Sequence, residues 1–528
     1  MTTRHSFLHG AFVLIAASLV TRVLGFIYRI FLTRLIGAAG MGLFQLVFPL
    51  LSLVLTFVTA GLPVAISKLV AEALVQRDRV RVQRILKVSS FVILSMAILF
   101  TILMWLFRGF IRTHWLTDVR AYPAYVAMIP VVSVIAVSSI YRGYFQGLQD
   151  MAPLAWASIL ETVVRIGSIW FLAAYFVRYS LPYAAAAAMV GMVFGELAGL
   201  VFLMISYRRR GRLSVVLADA PNRSLETTRQ TLKALLGIAA PVTLSRLIGS
   251  VIYAIEPVLV TRALLMAGVL TQNTTSLYGK FSGMAIPLLV FPTVFTGSLA
   301  VNLVPSVSEA MAGSERHRVR VRLAQSWRAT AIVGFPTSVV LTLFAEPLCR
   351  IIFHEPSVGS ILAVMAPAGF LLYLQGPLAG ILQGLNRAGA AMRNSIIGGI
   401  VRLGLYYLLA SQPDLRILGV AWAVTLSICL TTVLHFISVY RAVGFAVHAP
   451  DTAKIALAAL ISLVVMDLLS PHPTLLTVGP LLAAIVGGFL VYFTLLCSFQ
   501  VITSKTMARV PKVGTLLAQV VAAIPFAR

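Results

Sequence analysis

Charge is scarce in this chain, and acidic charge is scarcest. Only 11% of its 528 residues are charged, with 16 Asp and Glu against 42 Lys and Arg. A soluble protein carries charge on about a quarter of its residues, so a water-facing surface of the usual kind is excluded. Cysteine is almost missing. Cys349, Cys429 and Cys497 lie far apart, which is neither a disulfide framework nor a ligand spacing. The eight histidines include no HExxH motif; nothing fixes the geometry of a metal, and neither a metal nor a cofactor is expected. The net charge of +26 raises nucleic acid as a partner. However, Lys and Arg lie mostly in short loops between apolar segments, not in one basic domain with interleaved aromatics, and that partner is not expected.

What the chain has in plenty is apolar runs. Hydrophobic residues make up 59% of it, and stretches long enough to cross about 30 Å of hydrocarbon recur throughout. They fall near 8–35, 41–64, 86–108, 122–148, 153–177, 183–206, 234–265, 277–304, 324–347, 359–384, 390–410, 415–440, 453–470 and 475–501. The expected fold is an all-α polytopic membrane protein of about fourteen transmembrane helices. Arg4 before the first run imitates a signal peptide. That run carries Arg22 and Arg29 and continues to Leu35 without a clear cleavage site, so it reads as a retained first helix.

Basic loops alternate with neutral ones. Arg77, Arg79, Arg81, Arg84 and Lys87 follow the second span, Arg208, Arg209, Arg210, Arg212 and Arg223 the sixth, and Arg316, Arg318, Arg320 and Arg322 the eighth. The positive-inside rule then puts both termini in the cytoplasm of a multi-pass cell-membrane protein. Arg108, Arg112 and Arg120 fall on the predicted outside and fit less well.

The two halves resemble each other. Gly143, Gln146, Gly147, Ser158, Val164, Arg165 and Gly167 recur 237 residues later as Gly380, Gln383, Gly384, Ser395, Val401, Arg402 and Gly404. Thr21-Arg22-Val23-Leu24-Gly25 answers to Ser245-Arg246-Leu247-Ile248-Gly249. Six spans separate the repeats, so both run in the same direction, as in a parallel repeat. The expected organisation is an N-lobe over 1–206, a basic cytoplasmic linker over 207–230 and a C-lobe over 231–447. Two further helices over 448–504 and a cytoplasmic tail over 505–528 complete the chain. Substrate is expected between the two six-helix lobes.

Arginines inside apolar spans need an explanation, since a charge at the bilayer centre costs at least about 2.5–3.5 kcal/mol. Arg22, Arg165, Arg246 and Arg402 lie about 18 Å into their spans at about 1.5 Å per residue. A ring of guanidinium groups at one depth would make a cationic cavity, and their planar forks suit a diphosphate. The plainer reading is mutual neutralisation. Glu161 lies four residues before Arg165, whereas Arg402 has Gly398 at the equivalent place. Arg29 shares a face with Arg22 and either lines the cavity or reaches the headgroups; Arg34 and Arg262 read as reaching them. Acids within these spans are few, namely Glu161, Glu196 and Glu256, with Asp467 near the end of the thirteenth; the first three are candidates for ion coupling or for pairing with arginine. Pro287, Pro292 and Pro305 punctuate the eighth span, as hinges or as static kinks.

The stretch "GAAGMGLFQLVFPLLSLVLTFVTAGLPVAISKLVAE" from Gly37 to Glu72 closely resembles the stage V sporulation protein B group. So do "TRVLGFIYR" (Thr21–Arg29), "SSIYRGYFQG" (Ser138–Gly147), "LVPSVSEAM" (Leu303–Met311) and "MAPAGFLLYLQGPLAGILQGLN" (Met365–Asn386). The likeness runs from about residue 5 to 445. It implies a flippase of the multidrug/oligosaccharidyl-lipid/polysaccharide superfamily working by alternating access. The implied substrate is a polyprenyl-diphosphate-linked sugar, in the first place the peptidoglycan precursor lipid II, for spore cortex or cell-wall synthesis. In related lipid II flippases an essential arginine sits in "RVLGF", which maps to Arg22; the next falls at Tyr28, beside Arg29. The last two helices correspond to a lipid-tail groove. Membrane lipids are the expected surroundings, a peptidoglycan polymerase is the candidate partner, and a monomer is expected. The alternatives are a cation-coupled multidrug exporter, which would want an acidic and aromatic lining, and a membrane glycosyltransferase or polymerase, which would want carboxylates in a large outer loop.

Overall fold

The computed structural model describes residues 2–59, 61–209, 226–313, 315–444, 448–470 and 477–504, with side chains from Leu19 onward. Most of the basic linker expected at 207–230 and the tail expected at 505–528 lie outside the described residues. The described chain is all-helical, and it divides into two compact units, Met1–Gly283 and Met284–Arg528.

The first unit holds α1 (Thr2–Thr59), α2 (Leu62–Val75), α3 (Arg79–Leu106), α4 (Tyr122–Gly147), α5 (Ala152–Phe176), α6 (Leu181–Arg209), α7 (Thr228–Met266) and α8 (Thr271–Tyr278). Gly37 interrupts α1 with φ 67° and ψ −177°, a left-handed φ that glycine adopts without a Cβ penalty. The break separates 2–36 from 38–59. Asp78 caps α3 by accepting a hydrogen bond from the Arg81 amide at 2.8 Å, satisfying one of the donors a helix start leaves open. Small residues let the helices close up, as expected where both lipid and protein are apolar. A Cβ on Gly42 would lie 2.0 Å from the Thr275 carbonyl oxygen, and one on Gly279 2.0 Å from that of Ala38. These approaches bind 38–59 to α8 and to the π-helical turn Gly279–Ala285 that follows it. The packing boundary therefore falls at Gly283 although the sequence repeat restarts at α7.

The second unit holds α9 (Thr293–Ala312), α10 (Arg316–Leu343), α11 (Ala345–Phe353), α12 (Val358–Met365), α13 (Gly369–Gly384), α14 (Ala388–Ala410), α15 (Ile417–Val443), α16 (Ala449–Leu468) and α17 (Val478–Ser498). Its core gathers Leu374, Leu378 and Ile381 of α13 with Val319 and Leu323 of α10, and with Tyr492 and Leu496 of α17. The last two helices dock on α10. Trp327 Nε1 donates to Thr452 Oγ1 at 3.1 Å, and Tyr492 Oη to the Ile332 carbonyl at 2.9 Å.

Nine described stretches are long and apolar enough to cross a bilayer, or eleven if each of two bent pairs is one span. The bends are 56° between Thr271–Val290 and Thr293–Ala312, beside Pro292, and 80° between α10 and α11. One stretch, Leu19–Val75, has 57 residues, about 85 Å at 1.5 Å per residue, or room for two crossings. Reaching fourteen requires counting that stretch twice and adding α14 and α16, which do not meet the same length-and-apolarity measure. Exposed Phe91, Ile98 and Trp105 on α3, and Trp156, Val163 and Trp170 on α5, form apolar outer faces that only a lipid environment tolerates.

Candidate functional site

Four charged side chains meet inside the first unit. Arg165 on α5 bonds Glu161 one turn earlier and reaches Glu196 on α6 at 3.1 Å through the same nitrogen. Arg142 on α4 bonds the other oxygen of Glu161 at 2.7 Å. Gly195 makes room for this, since a Cβ there would stand 2.7 Å from the Glu161 carbonyl oxygen. Three helices thus contribute two guanidinium groups and two carboxyl groups to one knot, the mutual pairing that a low-dielectric interior demands of buried charge. Tyr28 of α1 lies within electrostatic reach of Arg165 and Arg29. Arg142 did not stand out in the sequence. The signal was available: the residue 237 positions on is Ala379, as Gly398 answers to Glu161, so the knot belongs to one repeat only.

The other arginines fare differently. Arg22 and Arg246 are exposed and Arg29 is half-buried. Among the described residues none of the three has a hydrogen bond or ion pair. The segment 38–59 and α7 are joined nearby, where Thr56 Oγ1 and Ser250 Oγ lie 2.7 Å apart, Ser250 being one turn beyond Arg246. In the second unit the Arg402 guanidinium stands 6.0 Å from the centre of the Tyr406 ring. Glu256 of α7 is buried. The structure joins Arg165, Glu161 and Glu196 in one cluster and leaves Arg22, Arg29 and Arg246 outside it.

A second polar cluster closes the end of the first unit at the 111–121 loop. Asp118 is 4% exposed. It accepts 2.7 Å hydrogen bonds from Thr275 Oγ1 of α8 and from Arg120. Burial pushes the Asp118 carboxyl up, but the bonds from Arg120 and Thr275 outweigh it and hold the group below the usual value. Thr117 and Thr261 hydroxyls lie 2.6 Å apart, and Arg262 donates to the His114 carbonyl at 3.0 Å. At the other end of α8, Gln45 Nε2 donates to the Ser282 carbonyl and hydroxyl at 3.0 and 3.2 Å, inside the π-helical turn. Such turns cluster where a helix must deform. The arginines that ran against the loop-charge rule each have a local holder. Arg108 stacks on Trp105 at 4.2 Å, Arg112 on Tyr122 at 5.3 Å, and Arg120 pairs with Asp118. No group of three or more His, Cys, Asp or Glu among the described residues could hold a metal.

Comparison with known proteins bears on this geometry. Residues 7–311 match the family model described as Polysaccharide biosynthesis protein, and residues 265–408 the one described as MatE. Over 518 residues the chain is 37% identical to Stage V sporulation protein B of Bacillus subtilis (strain 168), covering 97% of this chain and 99% of that protein. It is 24% identical over 472 residues to the lipid II flippase MurJ of the same organism, covering 83% of each. An inward-facing MATE family multidrug resistance transporter of the MOP superfamily superposes with a TM-score of 0.65 at 15% identity, over 82% of this chain and 98% of that one. The lipid II flippase MurJ in an inward closed conformation gives 0.59 at 14% identity, over 92% and 98%. Fold and relatives together define a multi-pass membrane transporter of the flippase and exporter kind, not an enzyme. The chain belongs to the polysaccharide biosynthesis protein family, in company with Stage V sporulation protein B.

Proposed function

We propose that this protein moves a polyprenyl-diphosphate-linked sugar across the cytoplasmic membrane by alternating access, with lipid II as the leading substrate. The observation that carries the reading is the division among the membrane arginines. Glu161 and Glu196 account for Arg142 and Arg165. Arg22, Arg29 and Arg246 are left as cations without a protein partner among the described residues. A desolvated guanidinium seeks an anion that accepts two parallel hydrogen bonds, and a diphosphate offers several such edges. Arg22, Arg29 and Arg246 are therefore the diphosphate ligands of the first unit in this reading. Arg402 is the repeat-related candidate of the second, and Arg165 is the residue that positions α5 against α6. Glu256 remains a candidate for coupling or structure.

The relative named as a lipid II flippase supports the substrate class, and the relative named for sporulation supports spore cortex or envelope peptidoglycan as the destination. On this reading 1–206 and 231–447 act as the moving lobes and both termini are cytoplasmic. The apolar outer faces of α16 and α17, which include Leu460, Val464, Leu482 and Val486, accommodate the lipid tail. A monomer would hand its product to a peptidoglycan polymerase.

The MatE match over 265–408 favours a second reading, a cation-coupled multidrug exporter. The charges within the membrane spans of the first unit that lack a partner among the described residues, Arg22, Arg29 and Arg246, are basic, which disfavours cationic drugs. Native mass spectrometry in detergent separates the two. Native protein should hold lipid II in preference to a cationic dye, and Arg22→Ala or Arg246→Ala should lose that preference. Retention of lipid II by both variants, or preference for the dye, would overturn the diphosphate reading.

A further inference from the structure

A groove of about 560 Å³ lies between the starts of α3 and α7, lined by Val80, Arg84, Lys87, Val88, Phe91 and Leu232 among others. Its lining is mostly apolar, with the cationic side chains of Arg84 and Lys87 early in α3 and Phe91 further along the same helix. Arg84 and Lys87 stand on successive turns of α3 at the end of the helix that carries the basic loop. Thr228, in the first turn of α7, faces them across the groove. That first turn is closed by a capping box between Thr227 and Gln230, and the positive end of the α7 dipole adds to the two cations. Beside the groove, Glu226 pairs with Arg81 at 2.8 Å. Lys87 is exposed and has no ion pair among the described residues.

Beyond the cations the same face of α3 turns apolar and stays open. Phe91 is 74% exposed, and Leu94, Ile98, Ile102 and Trp105 continue the stripe at helical spacing. From Phe91 to Trp105 the stripe rises about 21 Å at 1.5 Å per residue. One leaflet of hydrocarbon is about 15 Å deep, so the stripe is long enough to lie beside the whole of an acyl chain. A cationic mouth that leads into an open apolar track has the chemistry of one kind of ligand, a lipid with an anionic phosphate head.

We infer that this groove binds an anionic glycerophospholipid of the adjacent leaflet, its phosphate between Arg84, Lys87 and Thr228 and an acyl chain along Phe91, Leu94 and Ile98. The commitment to a bulk lipid over a soluble anion rests on the open track, which a free phosphate would leave uncovered. Because α3 belongs to the first repeat and α7 begins the second, the lipid tethers the two helices where Arg81 and Glu226 already join them. It is a structural ligand distinct from the transported one.

The test is native mass spectrometry of the full chain in detergent with phosphatidylglycerol and, separately, phosphatidylcholine of matched acyl chains. One retained phosphatidylglycerol is expected, with phosphatidylcholine binding weaker. Each of Arg84→Gln and Lys87→Ala should weaken phosphatidylglycerol by about fivefold, the contribution of one cation near an anionic surface. Phe91→Ser should weaken both lipids alike, while Lys68→Ala, which removes a cation on α2, should change neither. Thermal melts establish that each variant is folded. Equal binding of both lipids, or unchanged phosphatidylglycerol binding in the Arg84→Gln/Lys87→Ala double variant, overturns the proposal. So does full displacement by inorganic phosphate, which would make it a soluble-anion site, or by polyprenyl diphosphate at stoichiometric amounts, which would make it a substrate site. The readout is lipid retention, so it stands or fails independently of transport.

Discussion

Replacing Glu161 with Gln keeps the shape of the side chain and removes one negative charge from the knot of four. In the native protein Glu161 is 13% exposed and bonds two guanidinium groups, Arg142 at 30% and Arg165 at 18% exposure. Glu196 remains to balance Arg165, but Arg142 keeps only the hydroxyls of Ser138 and Ser158, at 3.2 and 3.4 Å. Breaking a fully buried pair from one side costs about 3–5 kcal/mol. The partial exposure of Arg142 screens the loss, and a cost of about 2–3 kcal/mol is the value to expect. That is a factor of about 30–150 in the unfolding equilibrium at 1.36 kcal/mol per tenfold. The assay is SDS-induced unfolding in mixed micelles, followed by tryptophan fluorescence, for which the chain has six tryptophans. A second variant, Arg142→Gln/Glu161→Gln, removes both charges and should recover part of the loss, giving a coupling energy of about 1–2 kcal/mol. If Glu161→Gln changes stability by less than about 0.5 kcal/mol, the level of an ordinary surface substitution, the knot does not hold α4, α5 and α6 together and the reasoning is wrong.

Two further outcomes follow from the first unit. Gly42→Ala or Gly279→Ala puts a Cβ 2.0 Å from a backbone oxygen, which should cost about 1–3 kcal/mol. It should also raise maleimide labelling of a Thr117→Cys probe in a background freed of native cysteines; unchanged melting and labelling would refute the close contact. Asp118→Asn should destabilise by about 1.5–3 kcal/mol through its charged hydrogen bonds. Because the folded carboxyl titrates below its unfolded value, its contribution is complete above the unfolded value and is lost as pH falls below about 4 and through the folded one. The Asn variant should therefore show a flatter decline in melting temperature on acidification, and parallel profiles would sink the assignment.

Much of this protein was legible as sequence because length and apolarity decide whether a helix fits a bilayer. The Glu161–Arg165 pair was legible too, since four residues on one helix are neighbours whatever surrounds them. Arg142 was not, and neither was the choice of arginine for Glu196, because their positions 19 before and 31 to 35 after their partners matter only once α4, α5 and α6 pack. Asp118 was passed over for the same reason, its partner Thr275 lying 157 residues away. The span count differs because Leu19–Val75 passes as one long apolar stretch, whereas the sequence divides it into runs at 8–35 and 41–64, and Gly37 does interrupt α1 between them. Prolines marked the eighth span correctly as bent, but no sequence pattern foretold the π-helical turn at Gly279–Ala285, which depends on the helix packed against Gly42.

The central claim is translocation of a diphosphate-linked lipid, and a reconstituted vesicle measures it directly. Liposomes carrying fluorescent lipid II, with and without the purified protein, are treated with a membrane-impermeant reductant and the protected fraction is followed in time. The account predicts that native protein exposes the protected label, that Arg22→Ala and Arg246→Ala slow this by tenfold or more at about 1.4 kcal/mol per tenfold, and that both variants melt like the native protein. Label that stays protected in the presence of native protein, under an imposed ion gradient and membrane potential, would contradict it, as would full-rate exposure by both arginine variants.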